Sequence, residues 1–171
     1  LGIVTIYQDL SLMNNLDIPS NIFMGREICT GILGKIGLLS IRNMQKEAEN
    51  LLDRFNIIIP DVKRRVEALS GGQRQMVAIC RAIYFNAKII IMDEPTAALG
   101  VSETEKVYRF IDEMKKQDLT IILISHNIEE IFDVADRFAV MKAGKLVGIR
   151  DRDSTKSREI VRMIISGNDA G

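Results

Sequence analysis

Two adjacent glycines, Gly71 and Gly72, stand between Ser70 and Gln73 in the stretch "ALSGGQRQMVAICRA". Ser70 and Gln73 fit the S-x-x-Q capping box, and the apolar residues that follow recur at helical spacing, which predicts a helix over about 72–84. A cap alone explains the glycines poorly, because glycine costs roughly 0.5–1 kcal/mol in a helix. Bare amides at the positive end of a helix dipole also suit an anion. The stretch therefore leaves a capped turn and an anion-binding helix N-terminus both open.

Two carboxylates follow the apolar run Ile89–Met92, whose lack of alternation is typical of a strand buried on both faces of a parallel sheet. Asp93 and Glu94 leave this strand side by side, and such carboxylates are costly unless a positive or hydrogen-bonding group receives them. Mg²⁺ bound to phosphates is a natural partner, with the first carboxylate in the metal shell and the second near a water. The alternative is a strand that runs into an acidic turn.

Polar residues also end two other predicted strands. The apolar run "LTIILIS" predicts another buried strand, and His126, the single histidine of the chain, follows it. Gln8 follows the first strand, predicted over 2–7. Ligands bind off the carboxyl ends of strands in open α/β sheets, so an imidazole at this edge can contact a terminal phosphate and an amide can hold a metal-bound or attacking water. A structural histidine and an ordinary loop glutamine are the alternatives.

The composition sets the class of protein. The chain has 171 residues, enough for one domain with a core, and its 23 basic and 23 acidic residues indicate no nucleic-acid-binding surface. Cys29 and Cys80 lie in unrelated settings, which favours a reducing compartment and argues against zinc. The apolar runs are far shorter than the roughly 18 residues of a membrane span. Because the chain starts at Leu1, inside an apolar run, we expect it to be cut at its front.

Strands and helices alternate along the chain, which predicts an α/β fold with a parallel sheet. Residues 9–80 interrupt it as an insertion that is mostly helical between 12 and 68, with Pro60 ending its clearest helix. Further predicted features are helices opened by Ser102 with Glu105, by Asn127 with Glu130 and by Ser154, and a hairpin around Ala143-Gly144.

The motifs together resemble the ATP-binding-cassette transporter ATPases. The matching stretches, in family order and approximate spacing, are "YQ" (7–8), "LSGGQ" (69–73), "IIIMDEP" (89–95) and "SH" (125–126). The resemblance covers essentially the whole chain. It implies a P-loop NTPase-like, RecA-like core formed by 1–8 and 81–171, with 9–80 as the helical subdomain that carries the signature motif and faces the permease.

The longer stretches "IIIMDEPTAALGVSET" and "ISHNIEEIFDVADRFAVMKAGKLVG" are similar to the ATPases of bacterial monosaccharide importers. The general family often has Ala-Leu-Asp after the strand with the two carboxylates, whereas Gly100 follows Ala98-Leu99 here, as in the sugar-import branch. No aspartate of that loop can be assigned. The end of the chain soon after "EIVRMIISG" resembles a subunit with one cassette.

A phosphate loop of the form G-x-x-x-x-G-K-[ST] does not occur in these 171 residues. The stretch "CTGILGKIG" contains Gly34-Lys35, but Cys29 takes the place of the first glycine and Ile36 that of the Ser or Thr. We therefore reject Lys35 as the phosphate-loop lysine. We expect that loop, its strand and its helix, and the residue that stacks on adenine, to precede Leu1.

The resemblance implies the roles of the site residues. The amides at Ser70–Gly72, with Gln73, would receive the γ-phosphate of an ATP held by a second ATPase subunit, in a homodimer. Glu94 would activate the attacking water, His126 would contact the γ-phosphate, and Asp93 with Gln8 would hold Mg²⁺ and water.

The resemblance also implies the partners and the place of work. They are a transmembrane sugar permease, indirectly a sugar-binding protein, and no nucleic acid, with the ATPase peripheral on the cytoplasmic face of the membrane. The sequence does not identify the sugar. Two alternatives remain: a truncated cassette with no ATPase activity of its own, and an ATPase of DNA repair or chromosome organisation. The second usually carries coiled coils or zinc modules, which the insertion lacks.

Overall fold

The structure is a computed structural model that describes residues 2–30 and 37–168. The chain forms two compact units, Leu1–Ile124 and Ser125–Gly171. In the described residues, the first unit contains β1 (Ile3–Ile6), α1 (Ile18–Ile22), β2 (Cys29–Thr30), β3 (Leu38–Leu39), α2 (Ile41–Arg54), α3 (Gly71–Tyr84), β4 (Ile89–Asp93), α4 (Val101–Lys115) and β5 (Thr120–Ile124). The second unit contains α5 (Ile128–Phe132), β6 (Arg137–Lys142), β7 (Lys145–Asp151) and α6 (Ser157–Ser166).

A parallel three-stranded sheet with the order β1-β4-β5 organises the first unit. Ile3 pairs with Ile89, and Asp93 at the end of β4 pairs with Ile124. Ile90 and Met92 are fully buried on one face of the sheet and belong to the core, together with apolar residues of α1, α2, α3 and α4. The predicted α/β fold with a parallel sheet is therefore confirmed.

The strand β5 departs from the prediction of a strand buried on both faces. Ile122 and Ile124 are 47% and 49% exposed, and residues alternate along the strand between exposed and partly buried. The physical reason is that the core covers one face of β5 only: Ile121 and Leu123 pack against it, whereas Ile122 and Ile124 lie on the opposite face.

The segment between β1 and β4 is less helical than predicted. Besides α1, α2 and α3 it holds the short antiparallel pair β2–β3 and a 3₁₀ turn at Val66–Ala68. The helix α2 ends at Arg54, with Asn56 in the left-handed region at φ 54°, so Pro60 does not end it. The division into a core (1–8 and 81–171) and a helical subdomain (9–80) stays a prediction.

Helix α4 has the predicted buried face but a different start. Val107, Phe110, Ile111 and Met114 are buried, as their spacing predicts. Gly100 is the N-cap residue and no side chain caps the helix, so the predicted capping box of Ser102 and Glu105 is wrong. An S-x-x-E spacing can also occur within a helix, and here it falls inside the first turn.

The second unit contains the predicted hairpin. Strands β6 and β7 are antiparallel, and Ala143 and Gly144 connect them, both with positive φ (47° and 75°). Ser154 lies in a 3₁₀ turn, Arg152–Ser154, and α6 begins at Ser157, so the prediction that Ser154 opens the last helix is wrong. Among the described residues, no helix is long and apolar enough to cross a membrane.

Candidate functional site

A cavity of about 320 Å³ lies at the carboxyl end of the sheet in the first unit. It is formed by the loop after β1, the first turn of α3, and the segment that joins β4 to α4. Its lining residues are Gln8, Asp9, Leu10, Leu12, Asn14, Gly71, Arg74, Gln75, Glu94, Pro95, Ala98 and Leu99. Three residues that the sequence singled out on separate grounds, Gln8, Gly71 and Glu94, thus line one cavity.

The start of α3 is a capping box, as predicted. The Gln73 N–H donates to Ser70 Oγ at 3.3 Å, and the Ser70 N–H donates to Gln73 Oε1 at 3.1 Å. The helix begins at Gly71, one residue before the predicted start. The box satisfies two donors, and the other N–H groups of a first turn have no acceptor within their own helix. The cap and an anion site are therefore compatible with each other.

Gly71 and Gly72 also have a packing role that sequence reasoning missed. A Cβ added at Gly71 would lie 2.7 Å from Cδ2 of Leu99, and one at Gly72 would lie 3.3 Å from Cβ of Glu103. The missing side chains let the start of α3 approach the start of α4 closely. Only the tertiary structure carries this information, since nothing in the local sequence tells which helix packs there.

Glu94 has an uncommon backbone conformation for a residue with a side chain. Its φ is 48°, in the left-handed region, and its N–H donates to the carbonyl oxygen of Ile124 at 2.9 Å. Strained conformations of this kind cluster at active sites and ligand clamps. Asp93, the last residue of β4, is half-buried but is not part of the cavity lining.

The oxygen donors near this edge fit Mg²⁺. Gln8, Asp93 and Glu94 offer an amide and two carboxylates, which are hard oxygen ligands. No group of three or more His, Cys, Asp or Glu side chains able to hold a metal occurs in 2–30 and 37–168. Mg²⁺ is usually held by one or two carboxylates together with substrate phosphates and water, so this sparse donor set suits it.

His126 is exposed and lies in the second unit, directly after β5 in the chain. Its neighbour Asn127 caps α5, as predicted: the Glu130 N–H donates to Asn127 Oδ1 at 3.4 Å, and the Asn127 N–H donates to Ser125 Oγ at 3.1 Å. These caps fix the backbone on both sides of the imidazole. The contact of His126 with a γ-phosphate stays a prediction. Lys35, which the sequence analysis rejected as the phosphate-loop lysine, lies outside the described residues.

Four polar residues at the cavity were not identified from the sequence: Asp9, Asn14, Arg74 and Gln75 line it beside the predicted residues. Arg74 and Gln75 directly follow the "LSGGQ" stretch, so their place on the first turns of α3 was the available signal. Arg81, further along α3, was also missed, and it bonds to the loop that carries Gln8.

Comparison with known proteins identifies the family of the chain. The family model described as "ABC transporter" matches residues 1–97. The chain is 46% identical over 166 residues to the xylose/arabinose import ATP-binding protein of Sulfolobus acidocaldarius, covering 97% of this chain and 64% of that protein. It is 44% identical to the fructose import ATP-binding protein of Rhizobium meliloti, covering 95% and 64%. The chain thus spans less than two thirds of the length of these relatives.

Solved structures show the same fold. A dimeric ATP-binding cassette in a post-hydrolysis state, bound to ADP and Pi, superposes with a TM-score of 0.67 at 25% identity, covering 88% of this chain and 62% of that one. The ADP conformation of another cassette of an ABC transporter gives a TM-score of 0.73 at 24% identity, covering 96% and 65%. Because the family model matches more than half of the residues of this chain, the chain belongs to the ABC transporter family.

Proposed function

We propose that this protein is the ATP-hydrolysing subunit of a transporter and that it powers the import of a monosaccharide through a membrane permease. The observation that carries the proposal is the cavity at the carboxyl edge of the sheet, where Gln8, Gly71 and Glu94 meet from three distant segments. Two similar relatives are named as import proteins for xylose or arabinose and for fructose, and they supply the substrate class. They do not distinguish one sugar from another.

Glu94 is the general base of the proposed reaction. Its carboxylate takes a proton from the water whose oxygen attacks the γ-phosphorus, and the bond to the β–γ bridging oxygen breaks as ADP leaves. Gln8, which lines the same cavity, orients that water. His126 donates a hydrogen bond to a γ-phosphate oxygen. Asp93 and Gln8 would hold Mg²⁺, which would neutralise charge on the phosphate oxygens.

The start of α3 acts on the nucleotide of a second subunit. The first-turn amides at Gly71 and Gly72 and the positive end of the helix dipole receive the γ-phosphate of an ATP held by the partner, while Ser70 and Gln73 keep the turn in shape. Two subunits then close over two ATP molecules. A similar solved cassette is a dimer bound to ADP and Pi, which supports this arrangement.

Closure transmits force to the membrane. The subunit is peripheral on the cytoplasmic face, where the segment between β1 and β4 contacts the permease, and a sugar-binding protein delivers the sugar on the other side. Coupling of this kind requires that the ATP site and the permease contact belong to segments that move together.

Replacing Glu94 with Gln in the full-length subunit tests the assignment. The amide keeps the shape and loses the base, so turnover should fall by about 10²–10⁴-fold while ATP binding is retained. ATP then stays trapped between two subunits, which size-exclusion chromatography detects as an ATP-dependent dimer. Glu105→Gln is the matched control, because Glu105 is an exposed residue of α4 whose ion pair within the described residues is with Arg109 at 3.6 Å. Turnover of Glu94→Gln within a few-fold of wild type would remove Glu94 from this role.

A further inference from the structure

Arg81 connects two walls of the cavity from outside it. It lies on α3 ten residues after Gly71, about 15 Å along the helix. Its Nη1 donates to the carbonyl oxygen of Ser11 at 2.9 Å, and its Nη2 donates to that of Leu10 at 3.0 Å. The two acceptors are 70 and 71 positions away in the chain, in the loop that follows Gln8.

The loop is shaped to present these two carbonyl groups. Ser11 is in the left-handed region at φ 49°, and its N–H donates to Asp9 Oδ1 at 3.2 Å. The planar fork of a guanidinium matches two neighbouring acceptors, and hydrogen bonds from a charged donor are about twice as strong as neutral ones. Leu10 and Asp9 line the cavity beside Gln8, so the bonded segment and the cavity wall are the same stretch of chain.

The environment of Arg81 partly removes its charge from water. Its side chain is half-buried, and burial lowers the pKa of the Arg81 guanidinium from its ordinary value, although an arginine stays charged. Within 2–30 and 37–168, no carboxylate forms an ion pair with it. The backbone carbonyls of the loop therefore provide the compensation that a carboxylate would otherwise provide, so the charge is directed at the loop.

Arg74 shows that the same face of α3 reaches the cavity. Arg74 and Arg81 are seven residues apart, about two helical turns, so they lie on one side of the helix. Arg74 lines the cavity directly, whereas Arg81 reaches only the backbone of the loop. Arg74 can therefore contact a ligand in the cavity, whereas Arg81 can only hold the loop in place.

We propose that Arg81 is a positioning residue that fastens residues 8–11 (the Gln8 loop) to α3, so that Gln8 and the first turn of α3 keep a fixed separation at the cavity and move as one body. The proposal rests on the proposed ATPase function, because it assigns the fixed separation to the hydrolysis step. Arg81 contacts no reacting atom. It acts through the loop, whose displacement by about 1 Å is enough to lower a rate up to a hundredfold.

Arg81→Met is the test, since it keeps a long apolar stem and removes both donors. In the 171-residue chain, hydrogen exchange followed by mass spectrometry should show about tenfold faster exchange in peptides that cover the Gln8 loop, with β4 unchanged. In the full-length subunit, kcat for ATP should fall about tenfold to a hundredfold with KM within about twofold. Arg109→Met is the matched control, because Arg109 is an exposed arginine whose described contacts are with Glu105 alone.

A conservative variant separates the positioning role from folding. Arg81→Lys keeps the charge and can donate to one carbonyl group at a time, so the exchange rate of the loop and kcat should lie between those of the wild type and of Arg81→Met. If Arg81→Met does not fold, Arg81→Lys is used in its place. Wild-type exchange of the loop in these variants would overturn the proposal, as would a raised KM with unchanged kcat. If the wild-type subunit had no ATPase activity, the proposed function would be overturned instead. Faster exchange of the loop in Arg81→Met would then still support the connection between Arg81 and the loop.

Discussion

At the scale of single residues, Glu94 has a strained backbone conformation and is also the proposed general base. A non-glycine residue in such a conformation costs about 1–3 kcal/mol, and the surrounding structure must hold it there. The hydrogen bond from its N–H to Ile124 is one such restraint, and it comes from the neighbouring strand. The position of Glu94 is therefore fixed by a hydrogen bond to the neighbouring strand β5 rather than left to a flexible loop.

Gly71 permits a charge test of the proposed contact with a partner's phosphate. Gly71→Asp and Gly71→Ala both add a Cβ that meets Leu99 at 2.7 Å, and such overpacking costs about 1–3 kcal/mol unless Leu99 turns away. Only Asp adds a charge, and two like charges about 4 Å apart repel by roughly 4 kcal/mol at an effective dielectric near 20. We expect the ATP-dependent dimer of the full-length subunit to survive Gly71→Ala and to be lost in Gly71→Asp.

Mixing subunits shows on which chain Gly71 acts. A Gly71→Asp subunit paired with one that lacks its phosphate-loop lysine places both lesions at one composite site and leaves the other whole, so ATPase activity should partly return. Equal loss of the dimer in both Gly71 variants would assign the effect to packing. Weaker ATP binding by monomeric Gly71→Asp would show that Gly71 acts on its own subunit's nucleotide.

At the scale of elements, two serines with the same predicted capping role differ in the structure. Ser70 caps α3, whereas Ser102 lies inside the first turn of α4 and caps nothing. Loss of an N-cap costs about 1 kcal/mol, so Ser70→Ala should lower the free energy of unfolding of the 171-residue chain by about that amount. Ser102→Ala should change it by less than about 0.5 kcal/mol. Urea denaturation measures both, and equal effects would contradict the assigned caps.

The hairpin of the second unit has a residue unsuited to its turn. Ala143 and Gly144 both have positive φ, the pattern of a type I′ turn, in which Asn-Gly is preferred. Ala143→Asn should therefore raise the free energy of unfolding by about 0.5–1 kcal/mol. Gly144→Ala is the control and should lower it, purely through backbone conformation, because a Cβ there has no atom within 4 Å. If the unfolding temperature changed in the same direction in both variants, the turn assignment would be refuted.

The sequence predicts the elements whose cause is local. The box at Ser70, the apolar face of α4 and the turn at Ala143-Gly144 depend on spacing within a few residues, and the structure confirms them. The start of α4 and the exposed half of β5 depend on what packs nearby, and the sequence patterns misjudge both. At the site, motif order singled out Gln8, Gly71 and Glu94, which line one cavity in the structure, and their roles stay predictions. Arg81 bonds to backbone 70 residues away and leaves no local signal.

At the scale of the whole molecule, the 171-residue chain should bind ATP weakly. Its described cavity is formed by the loop after β1, α3 and the segment after β4, and no G-x-x-x-x-G-K-[ST] stretch occurs in these residues. Such a loop supplies most of the amides and the lysine that hold the phosphates. Isothermal titration calorimetry with Mg²⁺ should give no heat of binding at micromolar ATP.

A micromolar Kd for this chain would contradict that expectation and direct attention back to Lys35. The full-length subunit is the positive control and should bind ATP under the same conditions. Glu94→Gln in the full-length background should bind as tightly as the wild type, since the missing affinity is assigned to the phosphate loop and not to the carboxylate.

The close approach of α3 to α4 at Gly71 and Gly72 has a consequence for how such chains change over evolutionary time. If a duplicated copy lost hydrolysis, for instance through a change at Glu94, selection for folding would still oppose a side chain at either glycine, because Leu99 and Glu103 occupy the space. The glycine pair would therefore outlast the activity in a decaying gene. In a survey of genomes, its presence identifies a folded cassette, and the state of Glu94 is the better marker of a working one.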